Sequence, residues 1–152
     1  MDLRERINAA VKEAMKAHES ERLGTLRLIN AAIKDRDIAA RGEGGDSPVS
    51  DTVLVELLGK MVRQRQESAR MFLEGGRAEL ADKERAEIRV IEEYLPRQLD
   101  EAEIAAAIDA AIAETGAASI RDIGKVMAQL KARFAGQMDF GAAGALLRAR
   151  LA

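Results

Sequence analysis

The chain has 152 residues, room for one or two small domains, and it is rich in alanine and aliphatic residues with aromatics at 3% and two prolines, a balance that favours packed helices over sheet. A formal charge of −2 argues against general affinity for nucleic acid, so any such contact has to come from a local patch. The absence of cysteine excludes disulfides, thiolate nucleophiles and thiolate metal sites, and the single histidine, His18, cannot build a histidine site alone, so no metal and no cofactor is expected.

Asp2, Arg4, Glu5, Arg6, Lys12 and Glu13 interrupt the apolar positions of the first sixteen residues, which argues against a secretory signal. No apolar run approaches the roughly 20 residues that cross a bilayer. The expectation is therefore a soluble cytoplasmic protein with no membrane partner.

The first helix is expected after Asp2, whose spacing to Glu5 resembles a capping box, with Leu3, Ile7, Ala10 and Ala14 on one face and an end near His18. A second helix turns Leu23, Leu26, Ile29 and Ile33 inward and runs into the Arg41 to Pro48 stretch, a loop by composition. Ser50 or Asp51 caps a third helix carrying Leu54, Leu57, Leu58, Met61, Ala69 and Phe72, which ends at Gly75–Gly76. A fourth helix is expected from about Ala78 to Leu95, halted by Pro96, with Leu80, Ile88, Ile91 and Leu95 inward.

Beyond Pro96 the texture shifts to short alanine-rich helices, which puts a domain boundary between residues 96 and 97. Asp100 with Glu103 reads as a capping box for a helix closed by Gly116. Ser119 with Asp122 repeats the signature for a helix ending near Phe134, and a last helix starts near Asp139. The fold class expected is all-α: an antiparallel four-helix unit over 1–96 and a three-helix unit over 97–152.

Two groups of polar residues stand out. Arg65 falls inside the apolar stripe of the third helix with Ser68 at its margin, and Glu84 and Glu87 lie on or beside the stripe of the fourth. Folding the hairpin back about Gly75–Gly76 brings Arg65 opposite Glu87 and within a turn of Glu84. This cluster is either a buried ion pair that fixes the hairpin register or a polar pocket in which Arg65, Arg77 and the carboxylates receive a ligand. No catalytic residue is assigned.

The second group is a ridge. Ile120, Ile123, Val126, Met127, Leu130 and Phe134 are expected to form a buried face, while Arg121, Lys125, Gln129 and Arg133 recur every fourth residue on another. Such a ridge is either an ordinary solvated helix face or a track for a phosphate backbone. No aromatic residue interleaves with it, so recognition of a folded RNA by shape and backbone suits it better than base stacking. Gly124–Lys125 lies inside a helix and lacks the glycine-rich run of a phosphate-binding loop, so Gly124 is expected to allow close helix packing instead.

The motifs Thr25–Leu26–Arg27, Arg63–Gln64–Arg65–Gln66–Glu67–Ser68, Gly76–Arg77, Tyr94–Leu95–Pro96 with Gln98–Leu99, and Gly124–Lys125–Val126–Met127 occur here in an order that resembles the GatB/YqeY family along nearly the whole chain. The sequence departs from that pattern at Met138, where the family implies a small residue. The resemblance implies a helical amino-terminal domain and a small helical domain similar to the tail of GatB, a subunit of the glutamine-dependent amidotransferase that acts on mischarged tRNA. It implies no nucleotide-binding cradle and no glutaminase module in this chain.

Three functions follow as expectations. The first is a non-catalytic accessory protein that binds tRNA, or a tRNA-modifying or aminoacylation enzyme, through Arg121, Lys125, Gln129 and Arg133. The second is a component of a carbon–nitrogen ligase with glutamine as amido-N-donor, its chemistry supplied by partners. The third is a protein-interaction module without RNA.

Overall fold

Asp2 begins the first helix by accepting the Glu5 N–H on its carboxylate at 2.8 Å, a bond that satisfies one of the free donors of the opening turn. In the computed structural model, which describes residues 2–152, the chain is all-α, with seven α-helices, one 3-10 turn and no strand among the described residues. The helices are α1 (Leu3–Lys16), α2 (Ser20–Gly42), α3 (Asp51–Glu74), α4 (Ala78–Glu92), α5 (Glu101–Thr115), α6 (Ile123–Arg133) and α7 (Phe140–Leu151), with the 3-10 turn at Ile120–Asp122. They form two compact units that meet in sequence between Leu95 and Pro96.

In the amino-terminal unit, α1 to α4 bury Ile7, Leu26, Ile29, Leu54, Leu58 and Ile91 completely. Helices α1 and α2 run antiparallel, with Asn30 donating to Asn8 at 3.2 Å and Arg4 holding Asp37 at 2.8 Å. Thr25 is also buried within α2, its hydroxyl donating back to the Glu21 carbonyl at 3.4 Å. The α3–α4 reversal needs Gly76, whose φ of +73° lies where side chains are strained. There the Arg77 N–H donates to the Phe72 carbonyl at 2.7 Å and the Gly76 N–H to Leu73 at 3.1 Å, which closes α3.

Helix α4 stops three residues earlier than expected, at Glu92. Tyr94 and Leu95 donate to the Ile91 and Glu92 carbonyls, both at 3.1 Å, in the tighter pattern of a 3-10 turn, and Pro96 disfavours a helical conformation at Leu95. Leu80 is half-buried, and the completely buried residue on that turn is Ala81.

The carboxy-terminal unit packs α5, α6 and α7 around Ile108, Val126, Leu130 and Leu147. Asp100 and Glu103 form a reciprocal capping box, and Arg97 donates twice to Glu103, at 2.9 and 2.8 Å. Those guanidinium bonds above all hold the Glu103 carboxyl down at about 2. Gly116 closes α5 at a φ of +69°. The segment leading into α5 is tied to the α6–α7 turn by three bonds: Leu99 N–H to the Gln137 carbonyl at 2.9 Å, Gln98 Nε2 to the Gly136 carbonyl at 2.7 Å and Gln137 Nε2 to the Arg97 carbonyl at 3.0 Å. Met138, larger than the family pattern implies, is 6% exposed and belongs to this core.

Ser119 and Asp122 do form a capping box, but it opens the 3-10 turn rather than a continuous helix. A 3-10 turn advances 120° per residue instead of 100°, so Ile120 leaves the buried stripe of α6 and is 53% exposed, a correction to its expected place. Gly124 is corrected too. A side chain there would meet nothing within 4 Å, so no close helix approach requires it.

Candidate nucleic-acid interface

The ridge begins on the 3-10 turn, which carries Arg121, and continues along α6 with Lys125, Gln129 and Arg133. Arg121 and Lys125 are exposed, and among the described residues neither has an ion-pair partner. The acid nearest them in sequence is engaged elsewhere: Asp122 accepts the backbone N–H groups of Ala118 at 2.9 Å and Ser119 at 3.3 Å. These bonds hold its carboxyl below the ordinary range, with a further contribution from the charge of Lys125.

The other end of the ridge is engaged. Arg133 forms an ion pair of 2.7 Å with Glu114 of α5, and Gln129 donates to the same carboxylate oxygen. Both charged side chains of the pair are about half exposed, at 53% and 46%. The Arg133 guanidinium bond is the main reason the Glu114 carboxyl lies below its ordinary value. Gln129 itself is half-buried. Of the remaining basic residues in this unit, Lys131 and Arg148 are exposed, while Arg150 is paired with Asp109 and donates to the Ala105 carbonyl.

In the α3–α4 hairpin the polar residues do not all meet. Arg65 Nε donates to Glu87 at 2.9 Å, with side chains 16% and 18% exposed, and its NH1 reaches the Met61 carbonyl at 3.3 Å. Ser68 and Glu84 are half-buried. Arg77, expected with the buried polar cluster of Arg65, is instead exposed: it sits at the reversal beyond the packed faces and pairs with Glu79 at 2.9 Å, with side chains 60% and 67% exposed. Among the described residues no buried side-chain polar atom lacks a hydrogen-bond partner, and no group of three or more acidic or histidine residues is placed to hold a metal ion.

A cleft of about 350 Å³ in the amino-terminal unit is lined by Arg6, Ala9, Ala10, Glu13, Arg22, Glu93 and Tyr94. Arg22 grips Glu93 at 2.5 and 3.0 Å and reaches the Tyr94 hydroxyl at 3.3 Å, while the Arg6 guanidinium lies 5.4 Å above the Tyr94 ring. Burial pushes the Tyr94 phenol up. Sequence reading singles out neither arginine; the available signal was the chain's one tyrosine, which anchors both. Two guanidinium and two carboxylate groups balance here, and the arrangement fastens the end of α4 to α1 and α2.

A family profile described as Yqey-like protein matches residues 4–151. The chain is 35% identical over 85 residues to "Altered inheritance of mitochondria protein 41, mitochondrial" of Eremothecium gossypii, covering 56% of this chain and 44% of that protein. Proteins of the same name from Kluyveromyces lactis, 31% identical over 84 residues with 55% and 43% covered, and Saccharomyces cerevisiae, 31% over 85 residues with 56% and 44% covered, are similar as well. The chain thus spans under half the length of these relatives.

Their mitochondrial designation overturns the cytoplasmic placement expected from the sequence. That expectation rested on excluding a secretory signal, and import into mitochondria reads a different, basic amphipathic pattern on which the exclusion is silent. Among the described residues no helix is long and apolar enough to cross a membrane.

Proposed function

We propose, for a chain that belongs to the Yqey-like protein family, that its carboxy-terminal unit docks on the sugar-phosphate backbone of a folded RNA, tRNA foremost, and that the protein is a non-catalytic accessory to tRNA handling. One observation carries this reading: Arg121 and Lys125 stand exposed one turn apart, without ion pairs among the described residues, and Asp122 between them is committed to backbone donors. Two cations so placed can each replace condensed counterions on neighbouring phosphates, and the release of those ions drives association. Phe134 and Phe140 pack against the core of the unit, so no ring accompanies the cations and sequence-specific base stacking is not part of the reading.

Fluorescence anisotropy with labelled folded tRNA at low salt tests it. The double charge reversal R121E/K125E is expected to weaken binding by about tenfold or more, while the charge-matched control K12E/K60E on the exposed surface of the other unit changes it by less than about twofold. Equal affinity for the wild type and R121E/K125E removes the reading. Binding that survives only with a protein partner present, and not with RNA alone, replaces it with a protein-interaction role.

A further inference from the structure

Gln129 and Arg133 lie one turn apart on α6, and both donate to Oε2 of Glu114. Glu114 occupies an unfavourable position for an acid: it is in the last turn of α5, where terminal carbonyls concentrate partial negative charge, and no basic residue of that turn offsets it. Its compensation comes from α6. A guanidinium and an amide N–H converging on one anionic oxygen is also the set of donors that a phosphate oxygen would receive there.

From this geometry, and resting on the docking role of the ridge, we propose that Glu114 is an internal competitor for the RNA backbone. It fills the far end of the ridge, so that RNA engages Arg121 and Lys125 first and gains Arg133 and Gln129 only by displacing it. The pair is suited to exchange, because both side chains are about half exposed and an exposed ion pair holds weakly. The arrangement also selects the kind of anion. Eight residues of helix separate Lys125 from Arg133, about 12 Å along the axis, a spacing that suits separate phosphates of one strand better than one compact anion. A polyanion, with successive phosphates on one strand, can put one of them in the place of Glu114. The ridge therefore favours an extended phosphate backbone over a free phosphate.

Binding of folded tRNA to the wild type, E114Q, R133Q and E114Q/R133Q forms the test. E114Q is expected to bind about two- to fivefold more tightly and with a salt dependence steeper by about one phosphate contact. R133Q is expected to weaken E114Q more than it weakens the wild type, which brings the double variant back to the level of R133Q. Inorganic phosphate in millimolar excess, compared with chloride at the same ionic strength, is expected to leave all four unchanged. E114Q binding like the wild type, or a gain that persists in the double variant, overturns the competitor role while leaving the docking reading intact if R121E/K125E still loses affinity. Failure of the wild type and E114Q alike to bind tRNA at low salt overturns both. A readout independent of RNA is the titration of the Glu114 carboxyl by NMR: it should move up toward the ordinary range in R133Q, and an unmoved titration rejects the pairing on which the inference stands.

Discussion

In the amino-terminal unit Arg4, Arg22 and Arg65 each reach a carboxylate far along the chain, 33, 71 and 22 residues away, and each makes a further bond to a carbonyl or hydroxyl. In the carboxy-terminal unit Arg121 and Lys125 reach none among the described residues, and Arg133 is held by a half-exposed acid that a ligand can displace. The same residue types thus serve two purposes. A guanidinium with several fixed acceptors pins helices together, whereas cations in solvent without an ion-pair partner leave their field available to an anion. Arg150, which pairs with Asp109 and donates to the Ala105 carbonyl, pins helices within the carboxy-terminal unit as well, so the contrast belongs to the ridge and follows from where its acids sit.

The largest effect is expected at Arg4, whose guanidinium holds both oxygens of Asp37 and the Val49 carbonyl. Arg4→Ala should lower stability by about 3 kcal/mol in urea titrations, because Asp37 is left among partly buried groups without its partner. Glu87→Ala comes next, at about 2 kcal/mol, since Arg65 would retain only the Met61 carbonyl. Removing the α5 cap with Asp100→Ala is smaller, about 1 kcal/mol. The smallest change is expected for R121E/K125E, within about 0.5 kcal/mol of the wild type, as befits surface residues without structural partners. A large loss of stability in that variant would erase the distinction between the two units.

Acid acts on the same ion pairs. Arg4 and the Val49 N–H hold the Asp37 carboxyl below its ordinary range. Its contribution to stability is therefore complete above the unfolded-state value, about 3.9, and is lost as pH falls through the lower folded-state value. In Asp37→Asn that part of the acid transition should vanish, a change that urea titrations between about pH 5 and pH 2 would detect.

Local signals made much of this fold legible. The Asp100–Glu103 and Ser119–Asp122 spacings mark true caps, Gly76 and Gly116 mark true helix ends, and the stripe of Leu3, Ile7, Ala10 and Ala14 is the buried face of α1. The Arg65–Glu87 pair was legible because a tight antiparallel hairpin leaves little freedom in register. A capping box, in contrast, fixes where a helical segment starts but not its pitch, which is why the 3-10 turn beneath Arg121 and the exposure of Ile120 were missed. Arg4–Asp37, Arg22–Glu93 and Arg133–Glu114 were out of reach for another reason. Each depends on which residues of two different helices, or of one helix and the end of another, face one another, and charge spacing along a single helix carries no record of that. Spacing alone therefore presents the ridge as four equivalent positions, although the structure divides it into an open pair and an engaged pair.

If the open pair grips phosphates, the slope of tRNA affinity against salt reports it. Two phosphate contacts predict that the logarithm of the association constant falls with the logarithm of salt concentration at a slope of about −1.4 to −1.8, with most of that slope gone in R121E/K125E. A slope near zero in the wild type, or one that the double reversal leaves unchanged, would contradict the account.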